Sequence, residues 1–148
     1  MASGQLASRD AALFQVVDGS CTVQASGTSS GTVLIEGYDC GGTSGRLINL
    51  SARQRVGTGA DLLIAGFHVA GTGSKRLLLR AAGPALAPLG VTGVLADPKL
   101  EAFTDSGATL AENDQWPASL EATFRTVGAF PWPVASRDAA LLLTVRSE

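Results

Sequence analysis

The sequence predicts an all-β fold, an antiparallel β-sandwich of jelly-roll kind with a short helical turn or two, and three observations carry that prediction. Apolar and polar residues alternate with a period of two through most of the chain, the pattern of strands with one face buried. Glycine-rich breaks, 18 Gly in 148 residues, interrupt those runs at short spacing. Only 16% of residues are charged against 45% apolar, with a net charge of −2, which suits a compact, turn-rich domain and not a disordered chain. A chain of this length makes one domain and can bury roughly two thirds of its unfolded surface around a single core.

Strands are expected first at residues 12–17, 22–26 and 32–38. The second and third flank a Thr-Ser-Ser-Gly turn, so Cys21 and Cys40 fall at the open end of a hairpin. A cross-strand disulfide there is geometrically feasible, since it needs Cα atoms within roughly 7 Å, and it would point to an oxidising compartment. Two half-buried free thiols are the alternative. Strands at residues 46–55, 62–69 and 76–82 follow, separated by the turns "GTGAD" and "AGTGSK". Residues 83–98, "GPALAPLGVTGVLADP", are expected as coil along a sandwich edge, because Pro84, Pro88 and Pro98 cannot donate to a ladder. Strands at 100–104 and 139–145 complete the set of eight, "DSGAT" reads as a turn, and residues 119–126, "SLEATFRT", read as helical. The apolar members of these strands, Leu34, Leu63, Ile64, Phe67, Leu77, Leu79, Leu100 and Phe103, form the expected core.

Several function classes lack their parts. The 11 Lys and Arg are scattered, with no basic run beside aromatic residues, so no nucleic-acid partner is expected. No apolar run approaches the roughly 20 residues of a membrane span, and the opening "MASGQLASRD" has no apolar core of signal-peptide type. His68, the one histidine, sits in an alternating strand without a nucleophile or acidic orienter in view, which favours a structural or surface role over a hydrolase base. One His and two hairpin-flanking Cys fall short of a zinc set. "GTGADLLIAG" and "AGTGSK" precede no helix and continue into no phosphate-binding signature, so both are turns. No enzyme is therefore expected, and no cofactor.

Calcium is the one alternative among ligands: "DSGATLAEND" offers Asp105, Glu112 and Asp114 near Asp97 and Asn113, although without EF-hand spacing, and turn formation and capping explain the same residues. Arg80 interrupts an apolar strand and is expected to face inward, paired with Asp97 or Asp138. Trp116 and Trp132 could stack on a sugar, although the flanking prolines of "FPWPV" favour a packing lid.

The middle of the chain, residues 47–116, "LINLSARQRVGTGADLLIAGFHVAGTGSKRLLLRAAGPALAPLGVTGVLADPKLEAFTDSGATLAENDQW", resembles a repeat of long secreted or surface-associated bacterial proteins. In that family the block is followed by a strand like "SRDAALLLTV" and a hairpin like "TVQASGTSSGTVLIEGYD", after which the next "LINLS" opens. Here the hairpin comes first, so the chain is cut in a permuted phase. The resemblance implies a β-sandwich module of structural or adhesive type, outside the cell or at its surface, and transfers no catalytic residue. Cys21 and Cys40 depart from the family pattern.

The permuted phase bears on the duplication of "ASRDAAL", found at residues 7–13 and again at 135–141. The chain divides into a joining strand at 1–17, a body at 18–134 and a second copy of the joining strand at 135–148, within one domain. A spare strand is a template for another chain. The expected function is a non-enzymatic structural module that self-assembles head-to-tail by β-strand addition into an extracellular fibre or other homopolymer. The assembly residues are Ala7, Ser8, Arg9, Asp10, Leu13 and Phe14 in the first copy and Ala135, Ser136, Arg137, Asp138, Leu141 and Leu142 in the second. A carbohydrate- or surface-binding sandwich module, with a glycan as partner, is the alternative.

Overall fold

The computed structural model describes Gln24 and residues 49–146. The strands expected at 12–17, 22–26 and 32–38, the pair Cys21 and Cys40, Leu34, and the first-copy residues Ala7, Ser8, Arg9, Asp10, Leu13 and Phe14 lie outside the described residues. Ala52–Glu148 forms one compact unit.

That unit is β-rich, with two small antiparallel sheets and little helix. Its elements run β1 (Ser74–Ala81), a 3₁₀ turn (Pro84–Leu89), β2 (Leu100–Phe103), β3 (Thr109–Asn113), a second 3₁₀ turn (Ala118–Leu120), α1 (Glu121–Thr126) and β4 (Ala139–Arg146). β1 pairs with β4, and β2 with β3. No helix among the described residues is long and apolar enough to cross a membrane.

The long pair brings "SKRLLLRA" against "AALLLTVR" in continuous register, from Ser74 opposite Arg146 to Ala81 opposite Ala139. Burial is graded along β4: Ala139, Ala140 and Leu141 are buried, Leu142 and Leu143 half-buried, and Thr144 and Arg146 exposed. Two small alanines at its start let the strand enter the core closely. The short pair is closed by Asp105, Ser106 and Gly107. Gly107 supplies φ 82, the Thr104 amide donates to the Ala108 carbonyl at 2.8 Å, and Asp105 Oδ1 accepts the Ser106 amide at 2.7 Å.

α1 is one and a half turns of "EATFRT" with its charges placed for the dipole. Glu121 stands in the first turn and Arg125 in the last, joined Nη1 to Oε1 at 2.7 Å. It ends where Gly128 adopts φ 71 and the Ala129 amide reaches back to the Phe124 carbonyl at 2.9 Å. Its buried residue is Phe124. The core gathers around that ring: Ala85, Trp116, Phe124, Trp132 and Ala140, with Leu78, Ala82, Leu120 and Ala129 packed against them.

This core is not the expected one. Leu63, Ile64, Phe67 and Phe103 are exposed, and Leu77, Leu79 and Leu100 are only half-buried. The aromatic residues account for the difference: each brings about 150–250 Å² of surface, so three rings in contact outweigh any alternating strand as a burial centre. Residues 49–73 hold no strand, against the expectation at 46–55 and 62–69. "DLLIAGF" is apolar on both faces and needs cover on both, and among the described residues nothing covers Ile64, which is 86% exposed. "GTGAD" does form its turn, with the Gly57 amide donating to the Asp61 carbonyl at 2.7 Å.

Gly83 is required for space. A Cβ there would collide with the Leu95 carbonyl oxygen and stand 3.1 Å from its carbon and 3.2 Å from Pro98 Cδ. Gly83→Ala is therefore expected to destabilise the fold by about 2 kcal/mol, the range of overpacking against unyielding backbone. Urea unfolding measures it, and a variant as stable as the parent would contradict this packing.

Candidate assembly site

The second "ASRDAAL" enters its strand through a left-handed residue, Ala135 at φ 63, held by the Ser136 amide donating to the Pro133 carbonyl at 3.0 Å. The turn presents three successive side chains to three different partners. Ser136 Oγ accepts the indole N–H of Trp116 at 3.1 Å. Arg137 reaches Asp97 at 3.2 Å on the exposed side. Asp138 points inward and is fully buried.

Asp138 is the centre of the site. Its Oδ1 accepts the Gly83 amide at 2.6 Å and the Ala85 amide at 3.2 Å, while Oδ2 accepts the Ala85 amide at 3.1 Å. Those amides open the first 3₁₀ turn, whose own side chains supply no cap, so a carboxylate 53 to 55 residues further along the chain satisfies them. Charge-assisted bonds of this type contribute about 1.5–3 kcal/mol each. The strand is also held at its other side: the Asp138 carbonyl accepts the Trp116 amide at 2.8 Å, and the Ala140 amide donates to Asn113 Oδ1 at 2.9 Å. The segment is thus tied to the β1–Gly83 corner and to the end of β3.

Beside it lies a caged arginine. The Arg80 guanidinium carbon is 4.2 Å from the Phe124 ring centre, 4.5 Å from that of Phe130 and 4.1 Å from that of Trp132. Its Nη2 donates to the Phe130 carbonyl at 2.8 Å. Burial pulls its pKa down to about 10, and the charge of Asp138 opposes that shift. Arg80 thus faces inward as expected, yet with π-faces and a carbonyl as its direct partners. Asp97, the other expected partner, pairs with Arg137.

The remaining candidates fall elsewhere. Asp105 serves its turn, and Glu112 Oε2 takes Lys99 at 2.9 Å, which with Glu101 at 3.1 Å raises the lysine pKa. Asp114 lines two polar grooves, one with Asp97, Gln115 and Arg137 and one with Lys99, Glu112 and Asn113. Among the described residues no group of three or more His, Cys, Asp or Glu could hold a metal ion. His68 is exposed. Trp116 and Trp132 are 5% and 6% exposed, their rings 5.8 Å apart edge to face, so neither offers the open face that sugar stacking needs.

Of the second-copy residues, the structure places Ala135, Ser136, Arg137, Asp138, Leu141 and Leu142 in one continuous segment against β1, Gly83, Ala85 and Trp116. The acceptor side went unread in the sequence: Gly83, Ala85 and Asn113 act through backbone amides or a single side-chain oxygen. The one available signal was a Gly-Pro corner following an apolar strand. No family model matches the chain, and neither a curated protein nor a solved structure matches it, so the likeness to the bacterial repeat rests on its motifs.

Proposed function

We propose that this chain is a non-enzymatic structural module whose sheets are layers of an antiparallel sandwich, and that it assembles head-to-tail with its own kind by β-strand addition into an extracellular fibre or other homopolymer. The observation that carries this reading is the way the second "ASRDAAL" lies along β1 and satisfies the Gly83 and Ala85 amides through Asp138. The same seven letters stand at residues 7–13, so the chain holds a second segment of the same donor chemistry, and an extended segment seeking a strand edge is the general means of β-augmentation.

Mass action sets the conditions. A closing strand tethered in the same chain acts at an effective concentration of about 1 mM, so isolated chains close on themselves and exchange between chains grows as protein concentration approaches that value. Sedimentation velocity on intact chain refolded at rising concentration tests the proposal. The expected result is monomer when dilute, passing into a ladder of oligomers when concentrated, and loss of that ladder on deletion of residues 1–17. A single monomeric species throughout, unchanged by the deletion, would overturn it.

A further inference from the structure

We propose that the outer end of the β1–β4 ladder is a cationic knob that docks into the acidic grooves beside Asp114 of a second copy of this chain. The proposal rests on the head-to-tail reading above and names a second contact for it, made by charge and not by a strand.

The ladder register sets the knob. Ser74 stands opposite Arg146, and Arg76 opposite Thr144. Residues opposite one another share a face, so Arg76 and Arg146 are diagonal neighbours on one face, at about 7–8 Å. Lys75 adds a third charge at the same end, on the other face. All three are exposed, and among the described residues none has an ion pair. Two guanidiniums held side by side without a carboxylate repel each other, and a carboxylate brought between them relieves that repulsion.

The acidic counterpart lies at the other end of the same strand. The Ala140 amide donates to Asn113 Oδ1 and the Asp138 carbonyl accepts the Trp116 amide, which places Asp114 and Gln115 beside the start of β4. Two open grooves meet there, of about 170 and 230 Å³, and Asp114 lines both. Lys99 is held by Glu101 and Glu112, and Arg137 by Asp97. Asp114 is therefore the acid of these grooves left without a cation among the described residues.

Knob and groove of one chain stand too far apart to meet. At about 3.3 Å per residue, Ala139 and Arg146 are separated by about 23 Å, more than two screening lengths at about 0.1 M salt. The charges meet between copies instead, and because the two surfaces differ the contact is head-to-tail. Arginine suits this role, since its planar fork meets a carboxylate through two parallel hydrogen bonds. Contacts of this kind set orientation and association rate more than they add affinity.

The test uses two full-length variants, each reversing one surface: Asp114→Lys for the groove, and Arg76→Glu combined with Arg146→Glu for the knob. All three positions are exposed, so the thermal midpoints should match wild type. In sedimentation velocity at about 10 mM ionic strength, where the screening length is about 30 Å, each variant alone should associate roughly tenfold more weakly than wild type. An equimolar mixture of the two should regain wild-type association, because each then meets its opposite only in the other. The wild-type chain gives a readout that needs no variant: its association should weaken roughly tenfold between about 10 mM and about 1 M salt. Variants that associate as wild type does, a mixture no stronger than its components, or association indifferent to salt overturns the docking, and strand addition stands without it if deletion of residues 1–17 still abolishes the oligomers. Association that survives that deletion yet follows the charge reversals supports the docking and overturns strand addition. A wild-type chain that stays monomeric at low salt overturns both.

Discussion

Asp138→Ala is expected to destabilise the fold by about 3–4 kcal/mol. The carboxylate is fully buried and bonded to the amides of Gly83 and Ala85, and truncation leaves both donors without a partner in a site too closed for bulk water, at about 1–3 kcal/mol each. It also removes the negative charge that favours the half-buried Arg80 guanidinium. Asp138→Asn keeps one acceptor oxygen but turns an amide nitrogen toward a backbone N–H, so it should fall between, at about 2 kcal/mol. Urea unfolding of the two variants measures the order. Should Asp138→Ala unfold within about 1 kcal/mol of wild type, the buried carboxylate does not close the module.

Phe124→Ala is expected to cost about 4 kcal/mol, within the range for deleting a buried aromatic ring. Phe124 is 1% exposed, stacks on Trp116 at 5.2 Å and 24°, and meets Trp132 edge-on at 5.1 Å. It also forms one wall of the Arg80 cage at 4.2 Å. The loss thus combines a cavity, two ring contacts worth about 0.5–1.5 kcal/mol each and a cation–π contact. Thermal unfolding should show the drop, and tryptophan emission should shift to the red as water reaches Trp116 and Trp132. Unchanged emission with a small loss of stability would mean that the ring cluster does not organise this core.

Where signals were local, the sequence was legible. Alternation and apolar runs located β1, β2 and β4, and "SLEATFRT" located α1, because each carries its own period and end signals. β3 was missed for a physical reason. In "TLAEN" the large apolar Leu110 faces solvent and the small Ala111 faces in, so the strand exists through its pairing with β2 and not through its own pattern. Its acidic neighbours then invited a calcium reading, whereas Glu112 is taken by Lys99 across the pair. The segment at 62–69 failed in the opposite way, since a run apolar on both faces declares burial without naming its cover. Within the site, the duplicated letters marked Asp138, and an arginine inside "RLLLR" marked Arg80 as inward. Their partners were illegible because backbone amides at 83 and 85 and rings at 124, 130 and 132 are selected by tertiary placement.

Closure of the β1–Gly83 corner by an aspartate-bearing strand is the claim on which assembly and exchange both depend, and amide hydrogen exchange at Gly83 and Ala85 addresses it directly. Both amides stand at the start of a 3₁₀ turn, where no partner within the turn is available to them. If Asp138 holds them, they exchange in the intact chain as slowly as the β1–β4 ladder, opening only with the cooperative unit. Exchange of Gly83 and Ala85 at the rate of unprotected amides, while the ladder stays protected, would contradict the account.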